Sequence, residues 1–526
     1  MLRILQITIC FFALNLSAQS SHIKTISSNV NSLHLKFITG KLQFDQISAD
    51  TKDFTHISAA GLTKSYDIGN PDLPVYSKLI EVPTNGAISV EILNSSEKRT
   101  DLAALGFHQE VLPSQHSVFK NQDPTKVPFQ YNESTYLSNN FYSQNLVTIE
   151  RVGVMRGKSI ARIQIAPLSY NPLTNELLAK KEVELKVNFE NSITITPQAL
   201  RTQDFDVNFS KLLNKDLGQK QAFSSNTTRM IILSDPEFEE DLQPFIQWKI
   251  RKGFDVIEAY KGQAEVGETK ESMKSYVQSF YDNATEENPA PTYLLIVGDH
   301  EQIPSFDAGN HVSDMFYCEF DGNGDYLPEM IFGRFSASTR SELEIQINKT
   351  LQYEQFTMSD PSYLEEVLLV AGVDGNFAPI HGNGQINYGT DYYFNEAHNL
   401  TSYVYLYPET ESNAVENAII EHVSDGVGFA NYTAHCGPGG WSDPSFEVSD
   451  VAGLTNEDQY GLMVGNCCQS NTFNGVTCFG EALLRKSKGG AVGYIGGSDN
   501  TLWDEDYFWS VGAGPISANP NYQETG

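Results

Sequence analysis

Two patterns of apolar and polar residues divide the chain. Residues 19–225 alternate in short runs, as in Leu33-His34-Leu35-Lys36-Phe37, Ala87-Ile88-Ser89-Val90-Glu91-Ile92 and Val183-Glu184-Leu185-Lys186-Val187. Period-two alternation punctuated by turn clusters such as Gly69-Asn70-Pro71-Asp72 predicts antiparallel β-strands. The histidines and acids of this region are scattered, so it reads as a β-rich module without a site. Residues 200–228 are polar and end in Ser224-Ser225-Asn226-Thr227-Thr228, which predicts an exposed linker open to proteolytic nicking.

From Arg229 the pattern changes. Met230-Ile231-Ile232-Leu233 reads as a short buried strand. The amphipathic stretch Asp235 to Lys252 reads as a helix stopped by Gly253. Phe254 to Ile257 and Tyr293 to Val297 are further strands, with a helix over Ser272 to Tyr281 between them. More strands follow at Val367 to Ala371, Val427 to Tyr432, Gly461 to Gly465 and Gly490 to Gly496. Strand–helix alternation predicts an α/β domain over 229–526, a mostly parallel sheet flanked by helices. In such sheets ligands bind beyond the carboxyl ends of the strands.

The N-terminus adds a compartment. Arg3, the apolar run Ile4 to Leu16 and the small pair Ser17-Ala18 form a secretory signal over residues 1–18, too short to span a membrane. No later apolar run has spanning length. The formal net charge is −31, from 66 acidic and 35 basic residues. A chain this acidic repels phosphate backbones, which excludes nucleic acid as an expected partner.

Six cysteines occur, and Cys10 lies in the signal. Of the other five, Cys436, Cys467, Cys468 and Cys478 cluster, while Cys318 stands apart. An odd, clustered set predicts a reactive thiol or a metal site rather than a disulfide framework. Three predicted strands deliver chemistry to one sheet edge. One runs into His435-Cys436-Gly437-Pro438-Gly439-Gly440, a second into Cys467-Cys468, and a third into Asp374. A thiolate attacking an amide needs an imidazole, an acid to orient it and N–H donors for the oxyanion. Glycines beside His435 let backbone N–H groups approach a carbonyl, with Cys436 and Gly437 as the candidate donors. Each residue also has a plainer reading: cysteine is commonly core, and a histidine beside glycine is commonly a loop residue. Zinc held by His435, Cys436, Cys467 and Cys468 is a third reading, although the adjacent pairs lack structural-zinc spacing.

Over about residues 229–510 the chain resembles the gingipain family of bacterial cysteine peptidases, in the clan of caspases and legumains. The resemblance is carried by Tyr293-Leu294-Leu295-Ile296-Val297-Gly298-Asp299-His300, Ile331-Phe332-Gly333-Arg334-Phe335-Ser336, Asn431-Tyr432-Thr433-Ala434-His435 and Cys478-Phe479-Gly480-Glu481-Ala482-Leu483. It implies a caspase-like catalytic domain preceded by a β-rich propeptide, and a secreted cysteine endopeptidase made as a zymogen. His435 then handles the proton, Asp374 orients it, and a cysteine attacks. The family's cysteine-to-Phe spacing favours Cys468, with Phe473 five residues on; counting back from Cys478 favours Cys467, and both stay open. Where the family has His-Gly, this chain has His435-Cys436, an extra thiol beside the site.

Trp503 and Asp506 resemble the primary pocket of the lysine-selective members, where an acid pairs with a cationic side chain and a ring covers its stem. Arginine is the next choice, and an aromatic–acidic surface loop the plain reading. Protein or peptide substrates and the chain's own propeptide are the expected partners, and no cofactor is required. Asp321-Gly322-Asn323-Gly324-Asp325 suits either a turn or a structural calcium ion held by Asp321, Asn323 and Asp325. The alternative function is a non-catalytic exported binding or adhesin module on the same fold. Family members continue with further domains past the position of Gly526, which implies a fragment of a longer precursor.

Overall fold

Alternating side chains build the first region directly. A computed structural model of the chain describes residues 22–215, 227–322, 324–523 and 525. In the strand Ser32–Ile38, Leu33, Leu35 and Phe37 are buried, while the residues between them reach outward. Its neighbour Glu176–Phe189 repeats this with Val183, Leu185 and Val187. The two pair antiparallel, Leu35 opposite Leu185, within the sheet order Ile23–Asn29, Ser32–Ile38, Glu176–Phe189, Ile88–Asp101. A second antiparallel sheet, Tyr76–Val82, Lys158–Ile165 and Val147–Met155, contributes Ile80, Ile163 and Ile165 to the same core.

The segment expected as a plain linker is partly folded. Gln203–Phe209 is a helix that buries Phe205. Phe205, Val207 and Phe209 alternate with polar residues there, a spacing of two that does not read as a helix. Residues 216–226 and the expected signal at 1–18 lie outside the described residues.

The second region is α/β, and its parallel strands divide into two sheets. The first has the order Asp255–Tyr260, Arg229–Ser234, Tyr293–Val297, Ile331–Phe335. Met230 and Ile232 face the helices Glu239–Arg251 and Arg340–Gln355, whereas Ile231 and Leu233 face Lys270–Asp282. A strand covered on both faces needs apolar residues at every position, which is what the run Met230 to Leu233 supplies. The second sheet has the order Thr401–Tyr405, Glu366–Ala371, Phe429–Thr433, Leu462–Asn466, Gly493–Gly496. The helix Phe479–Arg485 joins the two. Its Arg485 binds Asp299 at 2.9 Å and Glu481 at 2.7 Å, and Lys349 donates to the carbonyls of Leu483 and Leu484 at 3.0 Å. Among the described residues no helix is long and apolar enough to cross a membrane.

Candidate active site

Three adjacent parallel strands set the site. Ala371 pairs with Thr433, and Thr433 with Asn466, so the segments that follow leave the sheet side by side. They carry Asp374, His435 and the Cys467-Cys468 pair. Asp374 Oδ2 lies 2.8 Å from His435 Nε2, and Asp374 Oδ1 accepts the N–H groups of Asn376 and Phe377 at 2.8 Å each. Burial pushes the Asp374 carboxyl up, but the hydrogen bonds from His435, Phe377 and Asn376 outweigh it and hold it below its ordinary value. With Nε2–H aimed at the carboxylate, Nδ1 is the free proton acceptor. The ring edge of His435 meets the indole of Trp503 at 5.7 Å.

The cysteines correct one expectation. Cys436 and Cys467 form a disulfide, Cα–Cα 5.4 Å, that ties the residue after His435 to the residue before Cys468. A sulfur in that bond offers no thiolate, so Cys467 is excluded as nucleophile in this state, and the extra thiol expected at Cys436 is absent. The same bond takes up two of the four ligands of the alternative zinc reading. Among the described residues no group of three or more His, Cys, Asp or Glu is arranged to hold a metal ion. Cys318, Cys468 and Cys478 are free. Cys468 Sγ accepts the Thr501 N–H at 3.4 Å.

The two oxyanion candidates differ in their backbone pairing. Ser442 donates its N–H to His435 O at 3.0 Å, and Cys436 faces Trp441 across the hairpin. That pattern makes Cys436–Trp441 a non-hydrogen-bonded pair, with the Cys436 N–H directed out of the ladder. Gly437 pairs with Gly440 inside it.

Trp503 and Asp506 lie on the buried first turns of the helix Trp503–Val511, not on a surface loop. What fills the pocket comes from the N-terminal region. Lys120 is fully buried, its Nζ 2.7 Å from Asp506 Oδ2, 2.6 Å from Asn466 O, 3.2 Å from Thr433 Oγ1 and 4.8 Å from the centre of a Trp503 ring. Phe377 stacks on Trp503 at 5.1 Å and 11°. Burial pulls the Lys120 ammonium down, and Asp506, then the nearby Cys468, oppose this. The backbone docks through an antiparallel bridge between Phe119 and Leu502: Lys120 N–H donates to Thr501 O at 2.9 Å, and Trp503 N–H to Val118 O at 3.1 Å. Nothing in the pattern around Lys120 marked it. It sits in an irregular polar segment whose role appears only against the pocket.

The calcium candidates are split. Asp325 accepts the N–H groups of Val154 at 2.7 Å and Leu327 at 2.9 Å, while Asn323 lies outside the described residues. Nearby Glu329 is fully buried, and burial beside Asp321 and Asp325 pushes its carboxyl up to about 9.

A part-buried imidazole–carboxylate pair, a free cysteine just past the neighbouring strand and an acidic pocket filled by an N-terminal segment are the arrangement expected of a peptidase precursor. The chain belongs to peptidase family C25: residues 223–518 match the model of that family, and residues 17–223 match that of its propeptide, Propeptide_C25. It is 36% identical over 522 residues to Lys-gingipain of Porphyromonas gingivalis, covering 97% of this chain and 30% of that protein. It is 26% identical over 503 residues to Gingipain R2 of the same species, covering 92% of this chain and 66% of the relative. A solved structure described as "Structure of Protease" shares 41% identity and superposes with a TM-score of 0.54, over 57% of this chain and 66% of that one. The chain thus spans about a third of the length of Lys-gingipain.

Proposed function

We propose that the chain is the precursor of an exported cysteine endopeptidase that cleaves after lysine, held latent by residues 22–215. Cys468 attacks the substrate carbonyl, and His435 Nδ1 takes the thiol proton and returns it to the leaving amine. Asp374 keeps the ring oriented, and the Cys436 N–H serves the oxyanion. The observation that carries the reading is Lys120, whose ammonium sits between Asp506 and the face of Trp503 as a substrate lysine would. The resemblance to Lys-gingipain supports lysine over arginine, and the leader sequence at 1–18 supports export.

The test is labelling of the activated protein with a lysyl chloromethyl ketone, followed by mapping of the modified residue. Alkylation of Cys468 is expected. Cleavage of lysyl reporters by Cys468→Ala at the unaltered rate would refute the assignment. Absence of labelling, with tight retention of an intact peptide ligand, would favour the binding-module reading.

A further inference from the structure

The propeptide covers the helix Trp503–Val511 with two lysines, not one. Lys120 takes Asp506. Lys64, from a separate loop, places its ammonium on Asp504 Oδ2, while His381 Nε2 lies 3.0 Å from Asp504 Oδ1. Asp504 is buried, yet the bonds to His381 and Lys64 outweigh burial and hold its carboxyl below the ordinary value. Both lysines leave when the propeptide leaves. His381 belongs to the catalytic region and stays, so the Asp504 oxygen that met Lys64 loses its cation.

The docked strand fixes where that oxygen lies relative to a substrate. Segment 117–120 pairs with 501–504 through the Lys120–Thr501 and Val118–Trp503 hydrogen bonds. Three residues before Lys120, Ser117 Oγ donates to Glu505 Oε2 at 2.6 Å and accepts the Asp504 N–H at 3.3 Å. The side chain at this position therefore points at the Glu505 carboxylate beside the backbone of Asp504, whose own carboxylate carries an ammonium supplied from elsewhere in the chain. Serine is too short to bring a charge there, whereas Lys and Arg have the reach.

We infer that Asp504 and Glu505 form a second cation subsite, which selects substrates with a basic residue three positions before the cleaved lysine. The inference rests on reading Lys120 as the stand-in for that lysine.

Four quenched peptides, alike except for Arg, Lys, Ala or Glu three residues before a single lysine, test it on the precursor activated by removal of its propeptide. The basic peptides should show kcat/KM about tenfold above the Ala peptide, and the Glu peptide should fall below it, since charge complementarity is worth about this much at a partly exposed site. The advantage should shrink as ionic strength rises. Glu505 is exposed, so Glu505→Gln and Glu505→Lys leave the core alone. The first should narrow the Arg-to-Ala ratio and the second invert it; Asp504→Asn should narrow it further. Equal rates on the Arg and Ala peptides, or a ratio untouched by all three substitutions, would overturn the subsite while leaving lysine cleavage standing. Failure to cleave any peptide after lysine would instead refute the reading beneath it.

Discussion

The two parallel sheets of the α/β region are built alike, yet their carboxyl ends differ. In the first sheet the charges saturate one another. Arg334, at the end of Ile331–Phe335, binds Asp314 at 2.7 Å and the carbonyls of Gly298 and Ile303, and Asp299 is held by Arg485. In the second sheet the corresponding ends hold a thiol, an imidazole with one free nitrogen, and an acid whose cation comes from another region. The same strand–helix physics gives a sealed edge in one case and an edge with unfilled valence in the other. Fold alone therefore does not make a site here; groups whose partners can leave do.

Substitutions at the second edge should show that difference most strongly. Cys468→Ala should lower kcat by about 10⁴-fold or more, the scale on which loss of a nucleophile is felt. Asp506→Asn should lower kcat/KM on lysyl peptides by about 10²-fold to 10³-fold, because truncating one partner of a buried charge pair costs roughly 2–5 kcal/mol. Asp374→Asn should lower kcat by about 10²-fold while leaving KM near its original value, since it acts through His435 and not on the pocket. Its pH dependence has a defined sign. A carboxyl held below its ordinary value stays ionised through neutral pH, and its support of His435 is lost only as acid protonates it. The kcat deficit of Asp374→Asn against the wild type should therefore hold from neutral pH down to the carboxylate range, and a deficit that closed already near neutrality would contradict this.

At the first edge the expected outcome reverses. Arg334→Met leaves Asp314 buried without its partner and should cost about 3–5 kcal/mol of stability in denaturant unfolding. The activity per folded molecule, measured by active-site titration, should be unchanged. A loss of kcat larger than the loss of folded protein would mean that the sealed edge takes part in the chemistry after all.

Much of this contrast was legible in the residues, for identifiable reasons. Period two at Leu33, Leu35 and Phe37 and the apolar run Met230 to Leu233 reflect burial on one face and on two faces, so the sheets could be read. Asp374 and His435 follow apolar strands, and parallel strands must end on the same edge. The disulfide was not legible, because Cys436 and Cys467 meet only once Phe429–Thr433 and Leu462–Asn466 are neighbours. The helix Trp503–Val511 was not read, although Trp503, Tyr507 and Val511 recur at helical spacing; its acidic first turn hid the stripe. Lys120 and Lys64 carried no signal of their own, since each acquires meaning from an acid several hundred residues away.

The free thiols give the finest test of sealed against open edges. Cys318 lies in the core of the first sheet, where burial pushes its thiol well up. Cys478 caps the joining helix, and burial, then Glu481, pushes it up to about 12. At pH 7 a thiol titrating near 12 is ionised in only about one molecule in 10⁵, so Cys478 should not react with iodoacetamide on a laboratory timescale, and Cys318, fully buried with its thiol pushed up, should stay silent too. Cys468 is only 2% exposed in the precursor, with the Lys120 ammonium close enough for the two to interact. The precursor should therefore take up no label, and the activated protein one, at Cys468. Cys478→Ser should change neither the labelling nor kcat by more than about twofold, as expected of a buried group that meets no substrate. Denaturation without reductant should expose Cys318, Cys468 and Cys478 and leave Cys436 and Cys467 unlabelled. Label on Cys467 under those conditions would mean the disulfide is absent, and the choice between the two neighbouring cysteines would reopen.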